Sequence, residues 1–306
     1  MNMTQKNQVV KETCYDDKGE PGWYGELEYN DNGDKTSDIT YRLDGTIITW
    51  MKNMYDEHNQ PILSVFYDPI EEAIVEWCVY ENEYDNSNNL KKTTCYEIKG
   101  VVEDFNETLD CFKENSRMIS RVEEYDNGMV SKYSSYREGC LVRVSELTYD
   151  SQGNQLKTKE TYYHYEEGQL ESISIDEYDS AGNTIKETHY DQNNKISSIH
   201  EYYANGNDKK ETYYYEDGNV EFICEYDDDG NKIKWLSYYE NGQLYIDEEY
   251  DSAGNTIGHV SYYENGNLEV KYEYDENHKL IKKTFYNEDG TIDFYIEYDK
   301  DGNRIN

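Results

Sequence analysis

Residues 226–250 read Tyr-Asp-Asp-Asp-Gly-Asn-Lys-Ile-Lys-Trp-Leu-Ser-Tyr-Tyr-Glu-Asn-Gly-Gln-Leu-Tyr-Ile-Asp-Glu-Glu-Tyr. Two short alternating runs stand here, each entered through a phrase rich in Gly, Asn and Asp, the residues that turns demand. Working outward, the phrase Tyr-Asp-x-x-Gly-Asn recurs at 178–183, 250–255 and 298–303. The phrase Tyr-Tyr-Glu-Asn-Gly recurs at 262–266, with close variants at 202–206 and 214–218. A worn version runs back through Tyr149, Tyr136, Tyr125, Phe112, Tyr96, Tyr84, Tyr67, Tyr55, Tyr41, Tyr29 and Tyr15. The whole chain is thus a series of roughly 23 half-units of about 12 residues, the length of a strand plus its turn.

The turns set a register. Asn241-Gly242 is the preferred pair for a two-residue type I′ hairpin, which places Glu240 opposite Gln243 and Tyr239 opposite Leu244. In Tyr226–Ile233 a four-residue loop, 228–231, places Asp227 opposite Lys232 and Tyr226 opposite Ile233. On this reading the two turn types alternate, with the Tyr-Asp-x-x-Gly-Asn loops on one rim and the Tyr-Tyr-Glu-Asn-Gly turns on the other. Strand parity then collects Ile233, Trp235, Tyr239, Leu244, Ile246, Tyr250, Ile257, Val270, Tyr272, Ile281, Phe285, Ile292, Phe294 and Ile296 on one face. The opposite face is polar and acidic. The expectation is an all-β fold: a repetitive antiparallel β-hairpin meander forming an elongated, curved or coiled sheet, its Tyr/Ile face turned inward. An N-terminal segment (1–14), degenerate repeats (15–119) and regular repeats (120–306) form one continuous repeat domain. The stretches 69–80 and 97–111 fit the period poorly and stay open.

Composition excludes several classes. The 306 residues carry 29 basic and 66 acidic side chains, a formal net charge of −37. Aromatics make up 15% of the chain, 35 of them Tyr, which separates it from aromatic-poor disordered acidic chains. No basic patch interrupts the field, so neither nucleic acid nor an anionic membrane surface is an expected partner; a basic protein is. The N-terminus shows no signal-peptide pattern and no run is apolar enough for a membrane helix, so the expected compartment is cytoplasmic. Cys14, Cys78, Cys95, Cys111, Cys140 and Cys224 lie far apart without ligand spacing and read as reduced thiols.

The phrases at 238–244 and 262–268 resemble the variant MORN repeat of bacterial proteins often labelled YwqK-type antitoxins. The Tyr-Asp-x-x-Gly-Asn phrases are similar to the YD repeats of RHS proteins. Both resemblances imply consecutive β-hairpins, over residues 120–306 closely and 10–119 loosely. The first implies an antitoxin or immunity role against a basic toxin domain, and the second implies carbohydrate binding. The Gly-x-Gly and Tyr-x-Gly-x-Trp core of eukaryotic MORN repeats is missing here, as is the Arg of the RHS Gly-Arg-Leu turn.

Chemical sites are scarce. Aligning Glu225, Asp227, Asp229 and Gly230 on a calcium loop puts Leu236 where a bidentate Glu is needed, so no metal site is assigned. His58, His164, His189, His200, His259 and His278 share no repeat position; His189 and His200 stand one half-unit apart, in reach across adjacent strands but read as structural. No nucleophile constellation emerges, so neither enzyme activity nor a cofactor is expected. Tyr columns remain as the candidate partner-binding groups: Tyr238, Tyr262, Tyr245, Tyr286 and Tyr295, projecting from the polar face as large, low-entropy contact surface. The sequence therefore points to a non-enzymatic repeat scaffold that binds another protein, with carbohydrate binding or a spacer role as alternatives.

Overall fold

The computed structural model describes residues 8–15, 18–68, 73–98 and 117–305. Among the described residues there is no helix, and 22 strands follow one another as an antiparallel meander. The chain divides into two compact units, Met1–Val144 and Ser145–Asn306. Among the described residues every substantial strand contact joins sequence neighbours, so no second layer folds onto the sheet of either unit and neither closes into a barrel.

The first unit holds β1 (Gln8–Tyr15), β2 (Pro21–Tyr29), β3 (Lys35–Arg42), β4 (Ile47–Tyr55), β5 (Pro61–Asp68), β6 (Ala73–Tyr84), β7 (Leu90–Ile98), β8 (Arg117–Asp126) and β9 (Met129–Arg137), with β10 (Cys140–Tyr149) crossing the division. Its core is small and apolar: Val65 is fully buried, and Leu63, Val79, Cys95 and Leu27 are nearly so. Leu63 faces Val79 across β5 and β6, and Val65 stands two residues further along β5 on the same face. Of the stretches left open by the sequence, 73–80 lies in β6 and 97–98 ends β7; the remainder is outside the described residues. Cys14, Cys78, Cys95, Cys140 and Cys224 are free thiols, as expected, and Cys111 lies outside the described residues.

The second unit holds β11 (Gln155–Tyr163), β12 (Leu170–Tyr178), β13 (Thr184–Tyr190), β14 (Ile196–Tyr202), β15 (Asp208–Tyr214), β16 (Val220–Tyr226), β17 (Lys232–Tyr238), β18 (Leu244–Tyr250), β19 (Thr256–Tyr262), β20 (Leu268–Tyr274), β21 (Leu280–Tyr286) and β22 (Ile292–Glu297). From β13 the strands are seven residues long up to β21, each ending on Tyr. The 12-residue period is as expected, but the turns are not. Tyr239 N–H donates to Gln243 O and Gly242 N–H to Tyr239 O; Asp227, Asn231 and Gly230 repeat the same pair of bonds. Both phrases therefore build one three-residue turn, a type I turn closed by a residue with positive φ (+82° at Gly242, +87° at Gly230), instead of alternating two- and four-residue loops. The type I′ pair expected at Asn241-Gly242 occurs instead at Asn127-Gly128, where φ is +51° and +80° and Asp126 faces Met129.

This shared turn shifts the pairing at strand ends. Tyr238, not Tyr239, faces Leu244, and Tyr226 faces Lys232 rather than Ile233. Each strand from β13 to β22 thus carries a bulge at its second residue, which is left unpaired. Ile233, Ile257 and Ile281 occupy bulges and are exposed, so they leave the inward face on which the sequence had put them; Ile185 is a bulge residue of the same kind.

Away from the bulges the expected parity holds, yet the face is not sealed from water. Ile292, Phe294 and Ile305 are exposed, at 60%, 46% and 65%. In the second unit the buried side chains are Ser145, Thr158, Thr161, Thr188, Ser198, Thr212, Ser261 and Thr284. The physical reason is the single layer: without a second sheet, only short side chains between larger cross-strand neighbours lose their water. Stability must come from cross-strand pairs, each worth ~0.2–1 kcal/mol. Ile175–Thr188–Ile199–Thr212–Ile223 is one such row, and it lies not on the Trp235/Ile246 face but two residues along the strands from Lys186, Glu201, Lys210 and Glu225, on the face the charges share.

The polar face is also more ordered than acidic. Its outer row runs Lys157, Glu177, Lys186, Glu201, Lys210, Glu225, Lys234 and Glu249, each opposite the next. Gly258 interrupts the alternation beyond Glu249, which then resumes as Glu273, Lys282 and Glu297. Lys210 reaches Glu225 at 3.3 Å and Lys234 reaches Glu249 at 3.4 Å.

Candidate functional site

Because strands alternate direction, the turns of the second unit fall on two rims. One carries 179–183, 203–207, 227–231, 251–255, 275–279 and 299–303; the other carries 164–169, 191–195, 215–219, 239–243, 263–267 and 287–291. The Tyr-Asp-x-x-Gly-Asn phrases share the first rim as expected, but Tyr202–Gly206 joins them there instead of joining its look-alikes.

The residue opening each turn decides what the turn does. Where it is Asp, the carboxylate closes its own loop: Asp227 Oδ1 accepts from the backbone N–H of Asp229 at 3.1 Å and of Asn231 at 2.8 Å. Those bonds hold its carboxyl below the ordinary Asp range, led by the Asn231 amide. Where it is Tyr, the hydroxyl reaches the neighbouring turn on the same rim. Tyr215 donates to Tyr238 O at 2.8 Å, Tyr239 to Tyr262 O at 2.9 Å and Tyr263 to Tyr286 O at 2.7 Å. Asn219, Asn241 and Asn265 add amide bonds to the carbonyls of Glu240, Glu264 and Glu288. Turns on the second rim from 215 to 291 are therefore stapled in series, and on the first rim Tyr203 makes one such bond, to Tyr226 O at 2.9 Å; nothing in a count of turn residues could have shown it.

Three of the five candidate tyrosines come together on this rim. Tyr238, Tyr262 and Tyr286 end β17, β19 and β21 on the polar face, half-buried and about 10 Å apart, two strand spacings. They face Leu244, Leu268 and Ile292. Tyr245 sits on the same rim as the bulge residue of β18, exposed, its ring centroid 4.7 Å from that of Tyr239. Tyr295 does not join them: it lies mid-strand in β22 opposite Thr284, with Lys282 Nζ 4.5 Å above its ring.

From turn 215–219 onward the stapled rim is acidic, with Lys195 of turn 191–195 at its near end, its Nζ 2.6 Å from Glu216 O. Its turns from 215 to 291 expose Glu216, Asp217, Glu240, Glu264, Glu288 and Asp289 and contain no Lys or Arg. Its bulge positions add Glu221, Glu269 and Asp293, where the opposite rim has Ile233, Ile257 and Ile281. A shallow groove of about 350 Å³ opens between turns 191–195 and 215–219, lined by Glu171, Lys195, Tyr214, Tyr215 and Glu216. Burial pushes the Tyr214 and Tyr239 hydroxyls up, and Tyr239 keeps the proton it donates to Tyr262 O.

On the other face of the same unit, carboxylates and imidazoles meet. His200 and Glu211 are directly opposed, with Nδ1 and Oε1 3.6 Å apart, and the His189 and His200 rings stand edge to face at 5.7 Å. Tyr226 donates to Glu211 Oε2 at 2.7 Å and Tyr202 to Glu187 Oε2 at 3.0 Å; burial and these carboxylates raise both hydroxyls. The half-unit offset of the two histidines was legible; Glu211 and Asp208 beside them required the observed register.

The arrangement defines an antiparallel β-hairpin repeat protein with two chemically distinct rims. Residues 171–213, 214–260 and 262–306 match the sequence family described as "Protein of unknown function (DUF2963)". No curated protein matches the chain. Among solved structures, a Tc holotoxin pore of Photorhabdus luminescens is similar at 12% identity and a TM-score of 0.26, the match covering 97% of this chain and 17% of that one. A TcdB2-TccC3 structure is similar at 13% identity and a TM-score of 0.23, covering 96% and 19%. A porin-like protein from Bacteroides uniformis is similar at 8% identity and a TM-score of 0.20, covering 84% and 92%. The chain spans less than a fifth of the two toxin chains.

Proposed function

We propose that this chain is a non-enzymatic, cytoplasmic repeat scaffold that docks a basic protein segment along the stapled rim of its second unit, as an antitoxin or immunity protein holds a toxin domain. The observation that carries the reading is the stretch of rim from 238 to 291, on which Tyr238, Tyr262, Tyr286 and Tyr245 alternate with exposed carboxylates and the turns hold no Lys or Arg. Lys and Arg bind such a surface twice over, through ion pairs and through ring faces, and Arg favours both. The −37 charge would raise the encounter rate with a cationic partner. The alternating Lys/Glu row neutralises much of the adjacent face, which concentrates the uncompensated negative field on the turns. The resemblance of residues 238–244 and 262–268 to the repeats of antitoxin-like proteins agrees with it.

The test is affinity capture from the native host at 50 and 500 mM salt, with the wild type and the E240K/E264K/E288K variant. A basic protein retained at low salt by the wild type and lost by the variant supports the reading. Retention of no basic protein, or equal retention by the variant, would overturn it.

A further inference from the structure

We infer that His200, Asp208 and Glu211 form a binding site for a divalent transition-metal ion of the zinc class, on the face opposite the Lys/Glu row. The register places them together: His200 faces Glu211, and Asp208 faces Tyr202, two residues beyond His200 on the same side of the sheet. One ligand atom from each residue lies within 4.8 Å of the others. Zinc bonds of ~2.0–2.2 Å bring N and O ligands to within ~3.5 Å of one another, so closure asks about 1 Å of movement. Asp208 begins its strand beside the turn, half-buried, and its side chain can supply that movement without displacing the backbone.

Two neighbours prepare the site. Tyr226 occupies Glu211 Oε2, which leaves Oε1 directed at His200; an outer hydrogen bond of this kind orients a ligating carboxylate. His189 brings a second imidazole beside the first, its Nε2 3.7 Å from Glu187 Oε2. Imidazole ligands favour zinc, copper or nickel over calcium and magnesium, which prefer all-oxygen shells.

The chain contains its own comparison. Glu248 and His259 form the same cross-strand pair on β18 and β19, but they close directly on each other at 2.7 Å. The residue opposite the strand-end Tyr250 is Thr256, where the other site has Asp208. One His–Glu pair is thus a completed hydrogen bond, and the other is held open beside a third ligand.

This inference stands apart from the rim reading, and zinc titration of the full chain tests it. By calorimetry, the wild type is expected to take up one Zn²⁺ in a saturable step that tenfold excess Ca²⁺ does not displace. Co²⁺ in its place should give ligand-field absorption. H200A and D208N should each weaken Zn²⁺ at least tenfold and lose the Co²⁺ bands, while E248Q stays within twofold of wild type. Far-UV circular dichroism checks the fold, and D208N, a near-isosteric change at a strand start, carries the test if H200A fails to fold. Absence of a saturable Zn²⁺ step in the wild type, or wild-type affinity in a folded H200A or D208N, overturns the inference.

Discussion

Gly258 is the one break in an alternating row of charges, and filling it should stabilise the protein. It faces Glu249 on β18 and falls before Glu273 in the row, a position held by Lys at 186, 210, 234 and 282. A Cβ placed there would lie 3.4 Å from Glu249 Cβ, an ordinary contact, and the backbone needs no glycine. Glycine inside a strand costs about 0.5–1 kcal/mol through the entropy it loses on folding. A cross-strand ion pair contributes a further ~0.2–1 kcal/mol. Gly258→Lys is therefore expected to raise the unfolding free energy by about 1 kcal/mol. Gly258→Glu restores the side chain but sets like charges opposite each other, so it should fall about 1 kcal/mol below the Lys variant. Urea unfolding of both variants at 20 mM and 1 M NaCl separates the contributions, because at 1 M salt the screening length shrinks to about 3 Å. Their difference should narrow at high salt. Equal stability of the two variants at low salt would refute the charge-row reasoning.

Two further outcomes follow from the turns. Removing the four turn-to-turn hydroxyls together (Y203F/Y215F/Y239F/Y263F) should cost about 1 kcal/mol per bond, near 4 kcal/mol in all, since the sites are separated and nearly additive. The exposed Tyr245, changed to Phe, should shift the urea midpoint negligibly in the same assay. Acid should loosen the turns that Asp opens. Asp251 is held down to about 2 by the Asn255 amide and backbone, and Asp150, Asp179, Asp227 and Asp299 are lowered likewise. Groups depressed on folding stabilise the native state above the unfolded Asp value near 3.9 and lose that effect as pH falls through their folded values. Amide exchange at Asp229, Asn231, Ala253 and Asn255 should therefore quicken between about pH 4 and pH 2; protection that persists unchanged below pH 2 would contradict it.

The sequence exposed the fold well at the level of period and parity. Tyr at 12-residue intervals marked the strand ends, and Trp235, Ile246, Val270 and Phe285 share a face as the alternation implied. It misled at the turns because Asn-Gly fits both a type I′ pair and the last two positions of a three-residue loop. Choosing the shorter loop for one phrase and the longer for the other compensated in length, so the period survived while Ile233 and Tyr239 were mispaired. The expected inward face assumed a second layer that the chain does not build; Thr188, Thr212 and Thr284, unremarkable in the sequence, are buried on the opposite face, two residues from Lys186, Lys210 and Lys282. The charge row was present as Glu and Lys separated alternately by 9 and 15 residues, visible only once strands are paired. Similarly, Tyr238, Tyr262 and Tyr286 followed from repetition, whereas the Tyr215, Tyr239 and Tyr263 staples depend on the distance between neighbouring turns.

The functional account rests on the two rims differing in what they attract. Adding an Arg-rich peptide to the isotope-labelled protein and following backbone amide shifts by NMR tests this most directly. Shifts concentrated in 215–219, 239–243, 263–267 and 287–291, and at Tyr245, are the predicted result. Equal shifts along 227–231, 251–255 and 275–279, or none on the stapled rim, would contradict it.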